Sequence, residues 1–247
     1  MAIIPQQKLF GWRDLEELGD LERLRLVIEH MPDEDLVRHL ERKRGRGRDD
    51  YPIRPMWNSV LAGVVYQHPS AESLRRELSR NGQLRDICGF RGGPVPPPWA
   101  FSRFLSSVIF HREMILEIFD ALVEECYRLL PGFGINLALD GKAINSHARK
   151  RKDKEGLTAD GRRDLDANTG AKKYEGKRED GTAWSKIIYW FGYRLHLIVD
   201  ADYELPVAFR VTPASNSEVK QAHGLLDDLA STKPKVLWLT EVMITAS

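Results

Sequence analysis

Cysteine is scarce. Cys88 and Cys126 are the only two in 247 residues, and they lie too far apart for metal-ligand spacing. A reduced cytoplasmic setting is the simple reading. Long hydrophobic runs are missing as well: no apolar stretch approaches the ~20 residues that span a bilayer. The N-terminus "MAIIPQQKLFGW" has no basic segment followed by an apolar one. The expectation is a soluble, intracellular chain with no membrane partner. Nor is there an excess of one charge, the formal net charge being +1. The overall balance therefore neither supports nor excludes a polyanionic partner, and the distribution of charge carries the information. No internal repeat is visible. What the chain has is enough apolar residue, 42%, to build a core, and length for one large domain or two ordinary ones.

The N-terminal half reads as helical. "DLEELGDLERLRLVIEHM" puts Leu15, Leu18, Leu21 and the Leu24, Val27, Ile28 set on one stripe. Pro32 and Asp33 break the pattern, and "DEDLVRHLERK" starts a second helix with acidic residues in its first turn. The Gly-interrupted basic run from Arg42 to Pro52 has no periodicity and reads as a solvated loop. "IRPMWNSVLAGVVYQH" is an apolar helix offering Trp57, Leu61, Val64 and Val65 to the core. "SAESLRRELSRN" opens on Ser70 as an N-cap, with Glu72 one place short of a capping box. "GQLRDICGF" is a short helix closed by Gly89, "GGPVPPPW" a stiff linker, and the segment from Ala100 to Leu130 one long helix or two.

At Pro131 the texture changes. "FGINLALDG" reads as a short apolar strand, and a polar insertion rich in Lys, Arg, Asp and Gly follows at 142–185. "KIIYWFGYRLHLIVDADYELPVAFRVTPAS" is two strands joined by "DADYEL", with Pro206 starting the return strand. "NSEVKQAHGLLDDLA" is a helix capped by Asn216 or Ser217, with Leu225, Leu226 and Leu229 facing inward, and "VLWL", Val236 to Leu239, is the next strand. A hairpin between consecutive strands excludes a doubly wound nucleotide fold and predicts a mixed sheet. The fold class is α+β, with a helical domain over 1–130 and a mixed-sheet domain over 131–247.

Three groups of residues could carry chemistry. Asp140 ends the apolar run "LALD". It could ligate a hard metal ion, although an Asp before Gly is more commonly a turn residue. His196, Asp200 and Asp202 could form a metal cluster, but a packed strand histidine and a turn account for them more simply. The third group is basic: Arg42, Lys43 and Arg44; Arg149, Lys150, Arg151 and Lys152; and Lys172 and Lys173. Each cluster falls in an expected loop, and three of them raise the case for a phosphate-backbone surface. Trp184, Tyr189 and Trp190 could stack on bases, with core packing the commoner role.

The order of these motifs resembles the insertion-sequence transposases of the DDE type. "YPIRPMWNSVLAGVVYQHPSAESLRRELSRNGQLRDICGF" and "VPPPWAFSRF" are similar to their N-terminal helical domain, "LALDGKAI" to the strand of the first catalytic Asp, and "WFGYRLHLIVDADYELPVAFRVTPASNSE" to the hairpin and helix after it. The resemblance implies a ribonuclease H-like core, with DNA as partner and a homodimer left open. It also implies Mg²⁺ or Mn²⁺ held by three carboxylates, of which Asp140 would be the first. A helix-turn-helix-like unit around Ser70–Arg80, Gln83–Cys88 and Trp99–Phe110 would instead suit a non-catalytic DNA-binding protein or regulator of transposition.

In the family the strand matching "VLWL" ends close to "ADRGYD", carrying the second Asp, and a later helix carries the Glu. Neither stands in this sequence. The codons behind "WLTEVMI", read one base earlier, permit Ala-Asp-Arg-Gly-Tyr-Asp at that place. The expectation is therefore a reading frame lost near Trp238, an incomplete sheet, and a truncated copy that keeps Asp140 alone and is inactive by itself. On that view Glu241 lies in an out-of-frame tail and does not replace a missing ligand.

Overall fold

The structure, a computed structural model, describes residues 19–45, 51–90, 93–146, 148, 164, 166–177, 182–232 and 242–243. The chain divides into two compact units, Met1–Leu122 and Val123–Ser247.

The first unit is helical: α1 Asp20–His30, α2 Glu34–Arg44, α3 Ile53–Val65, α4 Ala71–Arg80, α5 Gly82–Cys88, α6 Pro98–Phe110, and the start of α7, Arg112–Leu129. Its core gathers Leu24, Leu36, Leu40, Met56, Leu78, Leu84 and Phe101, all nearly sealed from solvent. Local signals set the helix ends. The Ser70 hydroxyl accepts the Ser73 N–H at 3.1 Å, and Asn81 Oδ1 accepts the Leu84 N–H at 3.0 Å. Gly89 closes α5 in the left-handed conformation, φ 96°. The segment from Ala100 to Leu130 is two helices, broken at His111.

Asp33 ties α2 to α3. Its side chain does not cap α2; it turns inward, 3% exposed, to accept from Arg54 Nη1 and Trp57 Nε1, each at 2.5 Å. A buried carboxylate needs such partners, because leaving it unpaired costs several kcal/mol.

Two expectations for this unit are corrected. Arg42, Lys43 and Arg44 are the last turn of α2 rather than a loop; cations suit the negative end of a helix dipole, so a basic run there extends the helix instead of ending it. Val64 is 71% exposed, since the buried stripe of α3 runs through Met56, Trp57, Leu61 and Ala62.

The second unit holds one sheet, with strands β1 Leu137–Asn145, β2 Asn168–Lys177, β3 Ala183–Asp200, β4 Pro206–Pro213 and β5 Val242–Met243, and the helix α8 Glu218–Thr232. The order along the sheet is β2-β3-β1-β5, with β4 also paired to β3. Among the described strands only β5 runs parallel to its neighbour, aligning Leu137 with Val242 and Ala138 with Met243. A parallel strand beside β1 is what the β-hairpin-α-β order predicts; the segment Val236–Leu239, expected in that role, lies outside the described residues. Helix α8 packs on β3 and β4, and its Leu225 and Leu229 are buried.

The insertion at 142–185 is not simply a polar loop. Its first residues prolong β1 to Asn145, and 168–177 form β2, which pairs with β3 from Asn168↔Gly192 to Lys177↔Ala183. Lys, Gly and Asn disfavour strands on their own, but the long edge of β3 supplies the pairing. Gly192 is where β3 changes partners, opposite Asn145 of β1 and Asn168 of β2. A Cβ there would stand 2.2 Å from the Ile144 carbonyl oxygen and 2.6 Å from the Ser146 nitrogen. Both are backbone atoms locked in the ladder, so they cannot step aside. Gly192→Ala is expected to destabilise the sheet unit by at least ~2 kcal/mol, read as a lower urea midpoint by circular dichroism; a midpoint equal to the parent's would contradict this packing.

Candidate functional site

β1 and the C-terminal half of β3, Gly192 to Asp200, form the centre of the sheet. Asp140 is the fourth residue of the nine in β1, aligned with Leu197, and its side chain is exposed. It is therefore a strand residue and not a turn: the ladder carries β1 straight past Gly141, from Gly141↔His196 to Asn145↔Gly192. The carboxylate accepts the Gly141 N–H at 2.7 Å.

Gly141 permits a second carboxylate close by. A Cβ at 141 would lie 2.2 Å from Glu218 Oε1, so the first residue of α8 rests directly on the β1 backbone. Successive strand residues point to opposite faces. Glu218 therefore lies on the face away from the Asp140 side chain. It is also ion-paired there, accepting from Arg194 Nη1 at 2.9 Å. Arg194 lies 5.0 Å over the Trp190 ring and donates to the Ala171 carbonyl. Beside this pair is a small cavity of about 70 Å³ lined by Gly141, Lys172, Tyr174, Trp190 and Glu218. The sequence marks Glu218 only as a first-turn helix acid; its approach to Gly141 spans 77 residues and leaves no local signal.

The hairpin residues take structural roles. Asp200 is fully buried and accepts the N–H groups of Gly134, Asp202 and Tyr203 at 2.6, 3.0 and 2.8 Å. It organises the β3–β4 turn. Asp202 accepts from Asn136 Nδ2 at 2.8 Å. His196 is fully buried, its Nε2 2.9 Å from Thr212 Oγ1. The Thr212 hydroxyl also lies 3.3 Å from the Pro213 carbonyl oxygen. The other ring nitrogen, Nδ1, is bare and has no partner.

Among the described residues no group of three or more His, Cys, Asp and Glu side chains could hold a metal ion. Asp140 stands on one face, Glu218 is ion-paired on the other, and Asp200 is saturated by backbone. These residues do not by themselves fit a two-ion centre.

Of the basic clusters, Lys172 and Lys173 lie on β2, a strand where a loop was expected, and Arg42 to Arg44 end α2. Arg149, Lys150, Arg151 and Lys152 lie outside the described residues. Lys172 sits 5.6 Å over the Tyr174 ring, and Lys173 pairs with Glu175. The aromatic residues part company: Trp190 is half-buried, whereas Trp184 is 39% and Tyr189 67% exposed, so core packing does not account for the last two. In the helical unit only Asn81 separates α4 from α5, shorter than the 3–4-residue turn usual in a helix-turn-helix. Arg75 and Arg85 there are engaged with backbone carbonyls.

Residues 136–241 match the family model described as a transposase DDE domain, and residues 12–107 match that described as a transposase domain (DUF772). The chain belongs to the insertion-sequence transposases of the DDE type. Members of this family use divalent metal ions and act on DNA. No curated protein and no solved structure matches the chain significantly. No described helix of this transposase is long and apolar enough to cross a membrane.

The buried His196 gives the transposase sheet a pH dependence. Burial, and next the nearby Arg194, hold its pKa below the ordinary 6.5, with Glu218 opposing and Arg210 adding to the depression. Below pH 6.5 the unfolded chain then binds the proton more readily than the folded one. This contribution to stability is complete above about pH 6.5 and is lost as pH falls towards the folded-state pKa. His196→Gln, whose amide can still hydrogen-bond Thr212, is expected to flatten the fall in urea midpoint between about pH 7 and pH 5. An unchanged slope would show that His196 does not drive it.

Proposed function

We propose that this transposase chain binds DNA through its basic segments and contributes Asp140 as one carboxylate towards a divalent ion, Mg²⁺ or Mn²⁺, in the strand cleavage and transfer of its family. The observation that carries the reading is Asp140 itself: an exposed carboxylate at mid-strand, in the centre of the sheet, inside the segment that matches the DDE domain. A carboxylate on a central strand is held more rigidly than one on a loop, which is what positioning a small hard cation requires. When bound, such ions activate an oxygen nucleophile and stabilise the leaving oxygen.

One carboxylate does not hold two dications, and among the described residues no group of three or more His, Cys, Asp and Glu side chains could hold one. The 247-residue chain by itself is therefore proposed to bind DNA without cutting it. A chain with that property would act on transposition as a competitor for DNA, the regulator reading. Phosphate binding is assigned to Arg42, Lys43 and Arg44, to Arg149, Lys150, Arg151 and Lys152, and to Lys172 and Lys173.

The test is a DNA-binding titration across salt concentrations, with a Mg²⁺-dependent plasmid-nicking assay beside it. Log K is expected to fall steeply with log salt. Replacing Arg149, Lys150, Arg151 and Lys152 by Ala should flatten that slope by ~0.9 for each phosphate that is no longer neutralised. Asp140→Asn should bind at least as well as the parent, because it removes a negative charge. Nicking by the unaltered chain that Asp140→Asn abolishes would show that the metal site is complete and overturn the non-cutting reading. A slope unchanged by the four substitutions would place 149–152 on an idle solvated face.

A further inference from the structure

β3 has two unlike halves. From Gly192 to Asp200 its residues alternate buried and half-buried, with β1 on one edge and β4 on the other. From Ala183 to Tyr189 every residue is exposed. Along that stretch the only described partner is β2, which takes over where β4 leaves: Asn168 and Ser215 exchange two hydrogen bonds of 2.7 Å. The result is a two-stranded ribbon, from Lys172↔Ile188 to Lys177↔Ala183, extending past the rest of the sheet for roughly 17 Å at about 3.3 Å per residue.

The composition of the ribbon is unusual for an uncovered surface. Ile187, Ile188 and Tyr189 are 48%, 42% and 67% exposed, and Trp184 39%. Among the described residues of the ribbon, four lysines, Lys172, Lys173, Lys177 and Lys186, stand beside them against the one carboxylate of Glu175. Alternation distributes both kinds to both faces. Lys173, Lys177, Ile187 and Tyr189 share one; Lys172, Tyr174, Trp184, Lys186 and Ile188 share the other. An isolated two-stranded ribbon is marginal in water, and one with large apolar side chains on both faces calls for a partner.

We infer that the β2–β3 ribbon is an arm that enters the major groove of duplex DNA. The groove, about 12 Å wide, admits a two-stranded ribbon. Lysines on both faces then reach the phosphates of both walls, while Ile187 and Tyr189, on the face away from the small cavity that Ile188 lines beside Glu218, offer apolar surface to thymine methyl groups. Charge decides against the other occupant of an open strand edge, a second copy of this chain. Edge-to-edge pairing would bring the lysines of two ribbons together, and an edge lysine is a common block to such pairing. The inference rests on DNA being the partner, as proposed above, and adds which element meets it, in which groove.

The test uses the full chain and two versions of one mixed-sequence duplex, one with ordinary cytosine and one with glucosylated 5-hydroxymethylcytosine, whose sugar fills the major groove. The ordinary duplex should bind about tenfold tighter, the value of one good base interaction, and netropsin in the minor groove should not compete. The variants Ile187→Thr with Tyr189→Thr, and Lys173→Ala with Lys177→Ala, should each remove most of the difference while keeping the parent's circular dichroism. Equal affinity for the two duplexes, or variants that bind as the parent does, would overturn the ribbon assignment and leave DNA binding standing. No binding to either duplex would overturn both. Parent dimers that dissociate in the Tyr189 variant, seen by sedimentation with no DNA effect, would assign the ribbon to self-association instead.

Discussion

The sheet unit depends on a single long strand. β3 pairs with β1, β2 and β4, and β5 joins only through β1. Backbone hydrogen-bonding groups must be paired or wet, so an eighteen-residue strand imposes its length on its neighbours. It draws β1 past Asp140 to Asn145 and recruits 168–177 as a strand despite their polar composition. Gly192 makes this possible by letting one residue of β3 meet the backbones of both β1 and β2. The exposed Asp140 carboxylate and the exposed ribbon are thus two consequences of the same element. One sits where β3 is covered on both edges, the other where it runs beyond them.

The elements legible in the sequence are those set by local chemistry. Ser70 and Gly89 mark helix ends because a hydroxyl cap and a left-handed glycine need nothing distant. The β3–β4 hairpin is legible from its alternation and from Pro206. The misreadings share a cause, which is that distant partners override local propensity. Asp140-Gly141 has the composition of a turn, yet Leu197 and His196 hold it in a strand. Lys172 and Lys173 have the composition of a loop, yet Ile188 and Ile187 pair with them. The run Arg42 to Arg44 reads as solvent-exposed, which it is, but it is helical, since a charge pattern does not separate a loop from a helix end.

The same limit applies to the site. Asp140 stands out from its strand and from the family resemblance. The approach of Glu218 to Gly141, and its pairing with Arg194, depend on the docking of α8. That docking explains why a carboxylate so near Asp140 in the fold faces the opposite side of the sheet, paired with Arg194. It also separates the two faces of the sheet: the one under α8 is held by buried polar pairs such as His196 with Thr212, and the other presents Asp140 to solvent.

Amide hydrogen exchange along β3, with and without duplex DNA, tests the division of this strand most directly. Without DNA, the amides of Gly192 to Asp200 should exchange with the stability of the whole sheet and those of Ala183 to Tyr189 orders of magnitude faster. Added DNA should slow the second group and leave the first unchanged. Uniform protection along β3, or protection by DNA confined to residues outside the ribbon, would contradict the account.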